Sequence, residues 1–477
     1  MASTLSVAST LSVASPVQRA IRAPVLVAWT SAVFLAVLFS TLSLLRHARL
    51  RTSGYDLGIF EQAVRSYAEG QLPTSLLKGV DYPLLGDHFS PVLAVLAPVY
   101  AVVPHAETLL VAQAVLLAVG VVPLARWAGQ TLGTPAAIVV SSSYGLAGGL
   151  WHAIAFDFHE IAFAVPLLAF AMTALGRRRW RAAVLWAAPL VLVKEDLGIT
   201  VAGIGVLVAV LGRTAGGRRL GLGTALFGLG ATALETLVVI PRMNPAGVNQ
   251  YTRQLDLDTV ITQAGTLFSN HLKLTTVVLL LLPTAFLALR SPLVLVAVPT
   301  LAWRFLSDNP QYWGTAFHYD AVLVPVVTAA FVDGLARLRR GAGWTPAHQR
   351  GVLWASVVAT AVLLTQSPLM QLTTPGLWRP SVHERAARDL LARIPDGVTV
   401  AASNSLAPQL TGRADVSLLG IVPLEQSRAR FVVADTSITR QYPVDGDGLV
   451  ELVASARAHG YRTVDATDGV VLLERET

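Results

Sequence analysis

Four short polar motifs interrupt an otherwise apolar chain, and each joins side chains of the kinds used in catalysis and ligand binding. The motifs are Tyr55-Asp56, Asp87-His88, Asp157-Phe158-His159-Glu160 and Lys194-Glu195-Asp196. Carboxylates and imidazoles transfer protons as general acids and bases, and both ligate divalent cations. A lysine ammonium binds phosphate as a point charge. The motifs therefore indicate proton transfer, cation binding or phosphate recognition.

Asp56 stands at the start of a predicted amphipathic helix. Leu57, Phe60, Val64 and Tyr67 recur after it at helical spacing, so we expect a helix that lies on a membrane surface. An aspartate at such a position is a good N-cap, because its carboxylate accepts bonds from unpaired backbone N–H groups of the first turn. The pattern leaves two interpretations of Asp56 open, a helix cap or a catalytic carboxylate.

The next two motifs also have plain alternatives. Asp87 and His88 precede a proline, where aspartate commonly forms a turn. Asp157, His159 and Glu160 end an apolar run and fit the polarity of a membrane interface. Four of these side chains are candidate ligands for a divalent cation such as Mg²⁺ or Mn²⁺, namely Asp87, His88, Asp157 and His159. Their spacing matches no strict metal motif.

The last motif follows an unusually short apolar run, residues 182–193. As a helix this run is about 18 Å long, whereas the hydrocarbon core of a membrane is about 30 Å thick. Charges at that depth are costly unless they face water or one another. We therefore predict a recessed, hydrated cavity in which Lys194 binds a phosphate, while Glu195 and Asp196 orient the Lys194 ammonium. A structural lysine–acid pair between two short helices is the alternative.

The composition shows what kind of protein positions these motifs. Of 477 residues, 53% are hydrophobic and 14% charged, and the mean hydropathy is +0.58, as expected of a chain solvated by lipid. The net charge of +7 falls largely in short clusters between apolar runs, so we expect no nucleic-acid partner. The chain has no cysteine, which excludes disulfides and thiolate metal sites.

Apolar runs divide the chain into candidate membrane crossings. They lie at 25–45, 90–103, 108–125, 135–151, 161–176, 182–193, 197–212, 220–240, 274–289, 292–305, 321–334 and 351–367. The run at 90–103 is short and contains Pro91 and Pro98, so we interpret it as a re-entrant or surface helix. Eleven crossings remain. The basic clusters at 177–181, 213–219 and 337–340 then share the cytoplasmic side with the N-terminus, and the four motifs share the outer side.

Three regions follow from these patterns. Residues 1–23 begin with a repeat of small residues and are predicted to be a disordered tail. Residues 24–372 are predicted to form a multi-pass transmembrane domain with a large first outer loop, 46–107. Residues 380–477 alternate helical runs (383–394, 449–459) with short strands (398–402, 431–434, 470–473), which predicts a small extracytoplasmic α/β domain.

Taken together, the motifs resemble those of the DUF2079 family of bacterial membrane proteins. The resemblance covers residues 50–475 and rests on Tyr55-Asp56-Leu57-Gly58-Ile59-Phe60, Gly86-Asp87-His88-Phe89-Ser90-Pro91, Asp157-Phe158-His159-Glu160, Lys194-Glu195-Asp196-Leu197 and Ala401-Ala402-Ser403-Asn404. That family is similar in layout to GT-C glycosyltransferases, which take a sugar from a polyprenyl-phosphate donor on the outer leaflet. The resemblance implies an all-α polytopic fold of about eleven transmembrane helices, GT-C-like, with a small C-terminal α/β domain.

The resemblance also implies roles for individual residues. GT-C enzymes carry an acidic residue in the first outer loop, the place of Asp56, which would act as general base on an acceptor hydroxyl. Lys194, Arg242 and Arg304 would stabilise the leaving polyprenyl phosphate. The remaining substrate-binding residues would be Tyr55, Asp87, His88, Asp157, His159, Glu160, Glu195 and Asp196. Many GT-C members have an acidic pair in this loop, whereas Leu57 follows Asp56 here, so the role of Asp56 is inferred from its place.

Other functions stay open at this point. The acceptor is a glycan, a lipid or a protein. A transporter or lipid flippase also fits charges beside broken helices, although the chain shows no internal repeat and the charges crowd one face. A third hypothesis is a scaffold whose C-terminal domain binds a partner. No Walker, G-x-S-x-G, H-E-x-x-H or dinucleotide motif is present, which argues against a nucleotide-driven pump or a zinc protease.

Overall fold

The computed structural model describes residues 16–476. Residues 1–15 of the predicted tail lie outside this range, and the described chain begins with a helix at Pro16. The α-helices up to residue 378 are Pro16–Ala48, Ile59–Ala68, Ala97–Val102, Ala106–Val119, Val121–Leu132, Thr134–Gly145, Gly148–Phe156, Ala164–Gly176, Trp180–Ala187, Leu197–Leu211, Ala215–Leu234, Ile240–Met243, Leu257–Gly265, His271–Leu281, Val298–Leu306, Leu323–Arg339, Pro346–Leu364 and Pro375–Trp378. Short 3-10 or π-helical turns extend many of them, often at proline.

Four continuous helices within residues 16–476 are long and apolar enough to cross a membrane. They are Arg22–Ala48, Ala106–Leu132, Ala215–Met243 and His318–Arg339. Shorter apolar helices are Pro91–Val102, Glu160–Gly176, Trp180–Leu192, Leu197–Leu211, His271–Thr284 and Pro292–Leu306. The expected short helix before Lys194 is therefore present as Trp180–Leu192, while eleven crossings stay a prediction.

The helix predicted after Asp56 forms as Ile59–Ala68, behind a π-helical turn at Gly54–Gly58. No residue from 59 to 68 is exposed: Glu61 accepts a hydrogen bond from Tyr100, and Gln62 donates one to the carbonyl oxygen of Val416 in the C-terminal domain. The helix is therefore covered by protein, and its place on a membrane surface stays a prediction. The cap interpretation of Asp56 is wrong, since Asp56 lies inside the turn and Ser53 holds the cap position.

The two helices that follow the Lys194 motif, Leu197–Leu211 and Ala215–Leu234, approach each other closely at glycine residues. A Cβ on Gly228 would lie 2.3 Å from the Gly198 carbonyl oxygen, and one on Gly221 would lie 2.5 Å from that of Gly205. Small residues let backbones approach in this way in membrane helix pairs. The contact brings the Thr232 hydroxyl to donate to the Glu195 carbonyl oxygen at 2.7 Å, which fixes the short connection that carries the motif.

The C-terminal domain is built on a five-stranded sheet. Its strands are β1 Thr399–Ala402, β2 Asp415–Leu418, β3 Phe431–Asp435, β4 Tyr461–Thr467 and β5 Val470–Arg475, in the order β2-β1-β3-β5-β4. β1 pairs in parallel with β2 and β3, while β5 pairs antiparallel with β3 and β4. Every residue of β3 is buried, as expected for the central strand. The principal helices are Val382–Leu391 and Gly446–Ala458.

Candidate active site

Asp56 keeps part of its carboxylate accessible inside a buried polar cluster. The wide turn Gly54–Gly58 carries it, and its Oδ1 lies 3.6 Å from Nε2 of His159. The Asp56 side chain is 24% exposed, whereas that of the neighbouring Glu160 is 1% exposed. Burial raises the pKa of Asp56 to about 7, and His159 opposes this rise. Such a group is about half ionised at neutral pH and is basic enough to accept a proton.

His159 joins Asp56 to a lysine deeper in the cluster. Its Nδ1 lies 3.7 Å from Oε2 of Glu160, and Oε1 of Glu160 accepts a hydrogen bond from Lys194 Nζ at 2.8 Å. The imidazole stacks on that of His318, with ring centroids 3.6 Å apart. The four side chains Asp56, His159, Glu160 and Lys194 thus form one continuous row of ionisable groups.

A second group of ion pairs comes from the far end of the 46–107 loop. Lys78 Nζ donates to Oδ2 of Asp87 at 2.8 Å, and His88 Nδ1 lies 2.7 Å from Oε1 of Glu195. The Tyr251 ring stacks on His88 at 4.3 Å between centroids. Burial alone would raise the pKa of Asp87, but His88 and Lys78 hold it below its ordinary value. Asp87 is therefore an ionised partner of Lys78.

Asp157 has a positioning role within the cluster. Its Oδ2 accepts hydrogen bonds from the backbone N–H and the hydroxyl of Ser53, at 2.8 and 3.0 Å. Its carbonyl oxygen accepts a bond from Gln113, whose own side-chain oxygen accepts the N–H of His159 at 2.9 Å. Asp157 thus ties the turn that carries Asp56 to the loop that carries His159.

Two carboxylates beside Glu195 each have one oxygen without a hydrogen bond. Oδ1 of Asp196 and Oε2 of Glu235 have no hydrogen bond to any atom of residues 16–476. Glu235 is 4% exposed and starts a π-helical turn, Glu235–Val239. Turns of this kind inside helices are frequent at functional sites. The carboxylates of the polar cluster therefore outnumber the cationic side chains that pair with them.

Within residues 16–476 neither candidate arginine forms an ion pair with a carboxylate of the four motifs. Arg304 is fully buried and donates to Asp320 at 2.6 Å and to the carbonyl oxygens of Tyr312 and Gly314 at 2.8 and 2.9 Å. Its guanidinium holds the 307–320 loop in place and is not free to bind a phosphate. Arg242 is exposed, and no side-chain partner fixes it within the described chain.

The four candidate metal ligands do not converge on one position. Asp87 pairs with Lys78, His88 with Glu195 and Asp157 with Ser53, while His159 faces Asp56. Within residues 16–476 no three His, Asp or Glu side chains are placed to hold a metal ion. The candidates Asp87, His88, Asp157 and His159 therefore do not form a metal site in this arrangement, because each already has another partner.

Lys78 is the site residue that the motifs missed. Its ammonium also lies over the Tyr55 and Tyr82 rings, 5.1 and 5.6 Å from their centroids. The chain contains only three lysines among 36 basic residues, and two of them, Lys78 and Lys194, lie in this cluster. The sequence signal that could have identified Lys78 is the rarity of lysine in a chain whose other basic residues are almost all arginine.

Comparisons with known proteins agree with this architecture. The chain is similar to solved structures of ArnT from Cupriavidus metallidurans. The one bound to undecaprenyl phosphate is 14% identical with a TM-score of 0.53, covering 93% of this chain and 97% of ArnT. The apo structure is 15% identical with a TM-score of 0.51, covering 94% and 98%. At these identities the likeness shows the fold. No curated protein matches the sequence.

A match to a sequence family is more direct. The profile described as predicted membrane protein (DUF2079) matches residues 46–472, a range that contains all four polar motifs and the whole sheet except the last three residues of β5. The chain belongs to the DUF2079 family of predicted membrane proteins.

Proposed function

We propose that the chain transfers a sugar from a polyprenyl-phosphate donor to an acceptor hydroxyl at the outer face of the membrane. The observation that carries this proposal is the Asp56 carboxylate, partly accessible and next to His159 and the Lys194–Glu160 pair. The ArnT fold supports it, since one of the similar ArnT structures holds undecaprenyl phosphate.

In the proposed step Asp56 is the general base. The acceptor oxygen forms a bond to the anomeric carbon of the sugar, and the bond from that carbon to the phosphate oxygen breaks. The acceptor proton goes to the Asp56 carboxylate, while the polyprenyl phosphate leaves with the bonding electrons. No nucleotide is needed, because the activated donor supplies the driving force.

The two lysines are the proposed partners of the leaving phosphate. Lys194 and Lys78 each hold a carboxylate at 2.8 Å, which orients the ammonium groups before substrate arrives. Preorganised charges stabilise a developing anion more strongly than groups that must reorganise during the reaction. The side chains of Tyr55, Asp87, His88, Glu195 and Asp196 complete the proposed substrate pocket.

A reconstitution assay tests the proposal. Purified protein in lipid vesicles is supplied with radiolabelled polyprenyl-phosphate sugars, and glycosylated product is counted. We expect Asp56→Asn to reduce transfer by about 100-fold or more, because general-base catalysis contributes about 10²–10⁴-fold. Asp415→Asn is the matched control, since Asp415 is 46% exposed and pairs only with Arg65 at the domain interface. Transfer unaffected by Asp56→Asn would exclude Asp56 as the base.

One observation favours the second candidate function, a transporter or flippase. Glu235 is a buried carboxylate within a helix long enough to cross a membrane, and such residues commonly mark ion or substrate pathways. Vesicles that take up or scramble labelled lipid without forming any covalent product, and lose this activity in Glu235→Gln, would favour transport over transfer.

A further inference from the structure

The backbone immediately before Asp56 is held by a residue of the C-terminal domain. The Gly54 N–H donates to the carbonyl oxygen of Asn404 at 2.8 Å, and the Tyr55 N–H donates to its side-chain oxygen Oδ1 at 2.8 Å. Asn404 follows β1, two residues after Ala402. A single residue of the C-terminal domain thus binds two successive backbone N–H groups just before Asp56.

The turn is held from the opposite side by the membrane region. Ser53 donates two hydrogen bonds to Asp157, so the chain between Ser53 and Tyr55 is fixed by two separate parts of the molecule. Tyr55 has φ −82° and ψ 41°, outside the helical range of its neighbours. The geometry that places Asp56 beside His159 therefore depends on both anchors.

The fit between the turn and the C-terminal domain leaves no space for adjustment. A Cβ on Gly54 would lie 2.6 Å from Cβ of Ala407, so only glycine permits this approach. The Tyr55 ring packs on that of Tyr442 with centroids 4.5 Å apart. Because of this close contact, Asn404 packs directly against the turn that carries Asp56.

We propose that Asn404 is a positioning residue for Asp56, so that the docked C-terminal domain completes the active site; this inference rests on the proposed function. Asn404 acts through the Tyr55 N–H and touches no reacting atom. Removing its side-chain oxygen frees the Tyr55 peptide to rotate and moves the Asp56 carboxylate away from His159. A displacement of about 1 Å at a reacting group costs about 10²-fold in rate.

Asn404→Ala is the test variant, and Gln409→Ala is the matched control. Gln409 is also an amide of the C-terminal domain, and its Nε2 donates to the His47 carbonyl oxygen at 3.0 Å. The Gln409 amide also lies 3.3 Å from His47 Nδ1, so its removal breaks at least as many side-chain contacts between the same two regions as the removal of the Asn404 amide. Of the two residues, only Asn404 contacts the Asp56 turn. We expect kcat to fall 10- to 100-fold in Asn404→Ala with little change in the donor KM, and to stay near wild type in Gln409→Ala.

Asn404→Asp separates positioning from general destabilisation. An aspartate oxygen still accepts the Tyr55 N–H, so kcat on the alkaline plateau is expected to recover to within about threefold of wild type. The added negative charge beside Asp56 favours its protonated form, so the acid limb of the pH–rate profile is expected to move to higher pH.

Hydrogen exchange provides a readout that does not require turnover. Peptides covering residues 53–58 are expected to exchange faster in Asn404→Ala and unchanged in Gln409→Ala. Exchange that rises equally in both variants, or a kcat lost equally in both, would overturn the positioning role. If wild-type protein transfers no sugar while exchange still rises only in Asn404→Ala, the anchor is supported and the proposed function fails.

Discussion

Asp56 and His159 form a pair whose protonation should set how activity depends on pH. A general base must be ionised, and burial raises the pKa of Asp56 to about 7. The reactive carboxylate is therefore lost as pH falls through that value. We expect the initial rate at saturating donor to be flat above about pH 8 and to fall roughly tenfold per pH unit below about pH 6. Initial rates between pH 5.5 and 9 measure this limb.

His159 should influence that limb in a predictable direction. Its imidazole, 3.6 Å from Asp56, favours the ionised carboxylate and so lowers the pKa of Asp56. Replacing it by glutamine removes this contribution, so His159→Gln is expected to move the acid limb to higher pH as well as reduce the plateau. A limb that moves to lower pH, or stays in place, contradicts the pairing of these two residues.

The grouping of the polar residues could be predicted from the sequence better than the individual partner of each residue. Asp56, His159, Glu160 and Lys194 do lie in one row, because each stands at an end of an apolar run. Lys78 was missed, since it sits in a loop without periodicity. Arg304, at the end of the helix Val298–Leu306, donates to three acceptors of the following loop, and such a guanidinium is indistinguishable in sequence from one without partners.

At the scale of elements, one close backbone contact places the Asp87-His88 turn. A Cβ on Gly86 would lie 2.5 Å from the Met243 carbonyl carbon, and the Asn244 side chain donates to the Gly86 carbonyl oxygen at 2.8 Å. Gly86→Ala must therefore push the turn away from Met243 and displace Asp87 and His88.

The expected cost of Gly86→Ala is about 1–3 kcal/mol of stability, as for other overpacked sites, together with at least tenfold lower transfer. Thermal unfolding in detergent and the vesicle assay measure the two effects. Gly265→Ala is the control, because a Cβ there meets nothing within 4 Å. Equal behaviour of the two variants would show that the Gly86 contact does not position the turn.

Element lengths were predictable where periodicity was strong. The short helix before Lys194, β3 and the helix Gly446–Ala458 were all expected. β2 has only four residues and β4 is largely exposed, so neither carries the apolar alternation that marks a strand. The burial of Ile59–Ala68 could not be foreseen, because its second covering surface lies about 350 residues away in the sequence.

At the scale of the whole molecule, a buried carboxyl joins the C-terminal domain to the 46–107 loop. Glu61 is fully buried and accepts hydrogen bonds from Thr411 and, at 3.0 Å, from Tyr100. Burial raises its pKa from 4.5 to about 7. The folded protein therefore holds this proton more tightly than the unfolded chain. The resulting stability is fully present below about pH 4.5 and is lost as pH rises through about 7.

Glu61→Gln should remove this pH dependence, since a glutamine is neutral and still accepts a hydrogen bond through its carbonyl oxygen. We expect the variant to match wild type near pH 5 and to be more stable at pH 8, by on the order of 3 kcal/mol. Thermal unfolding of both proteins at the two pH values measures the difference. Glu69→Gln at the C-cap of the same helix is the control, because Glu69 is 51% exposed and should give no such change. A Glu61→Gln effect of equal size at both pH values would mean that the charge of Glu61 does not limit how firmly the C-terminal domain docks over the Asp56 turn.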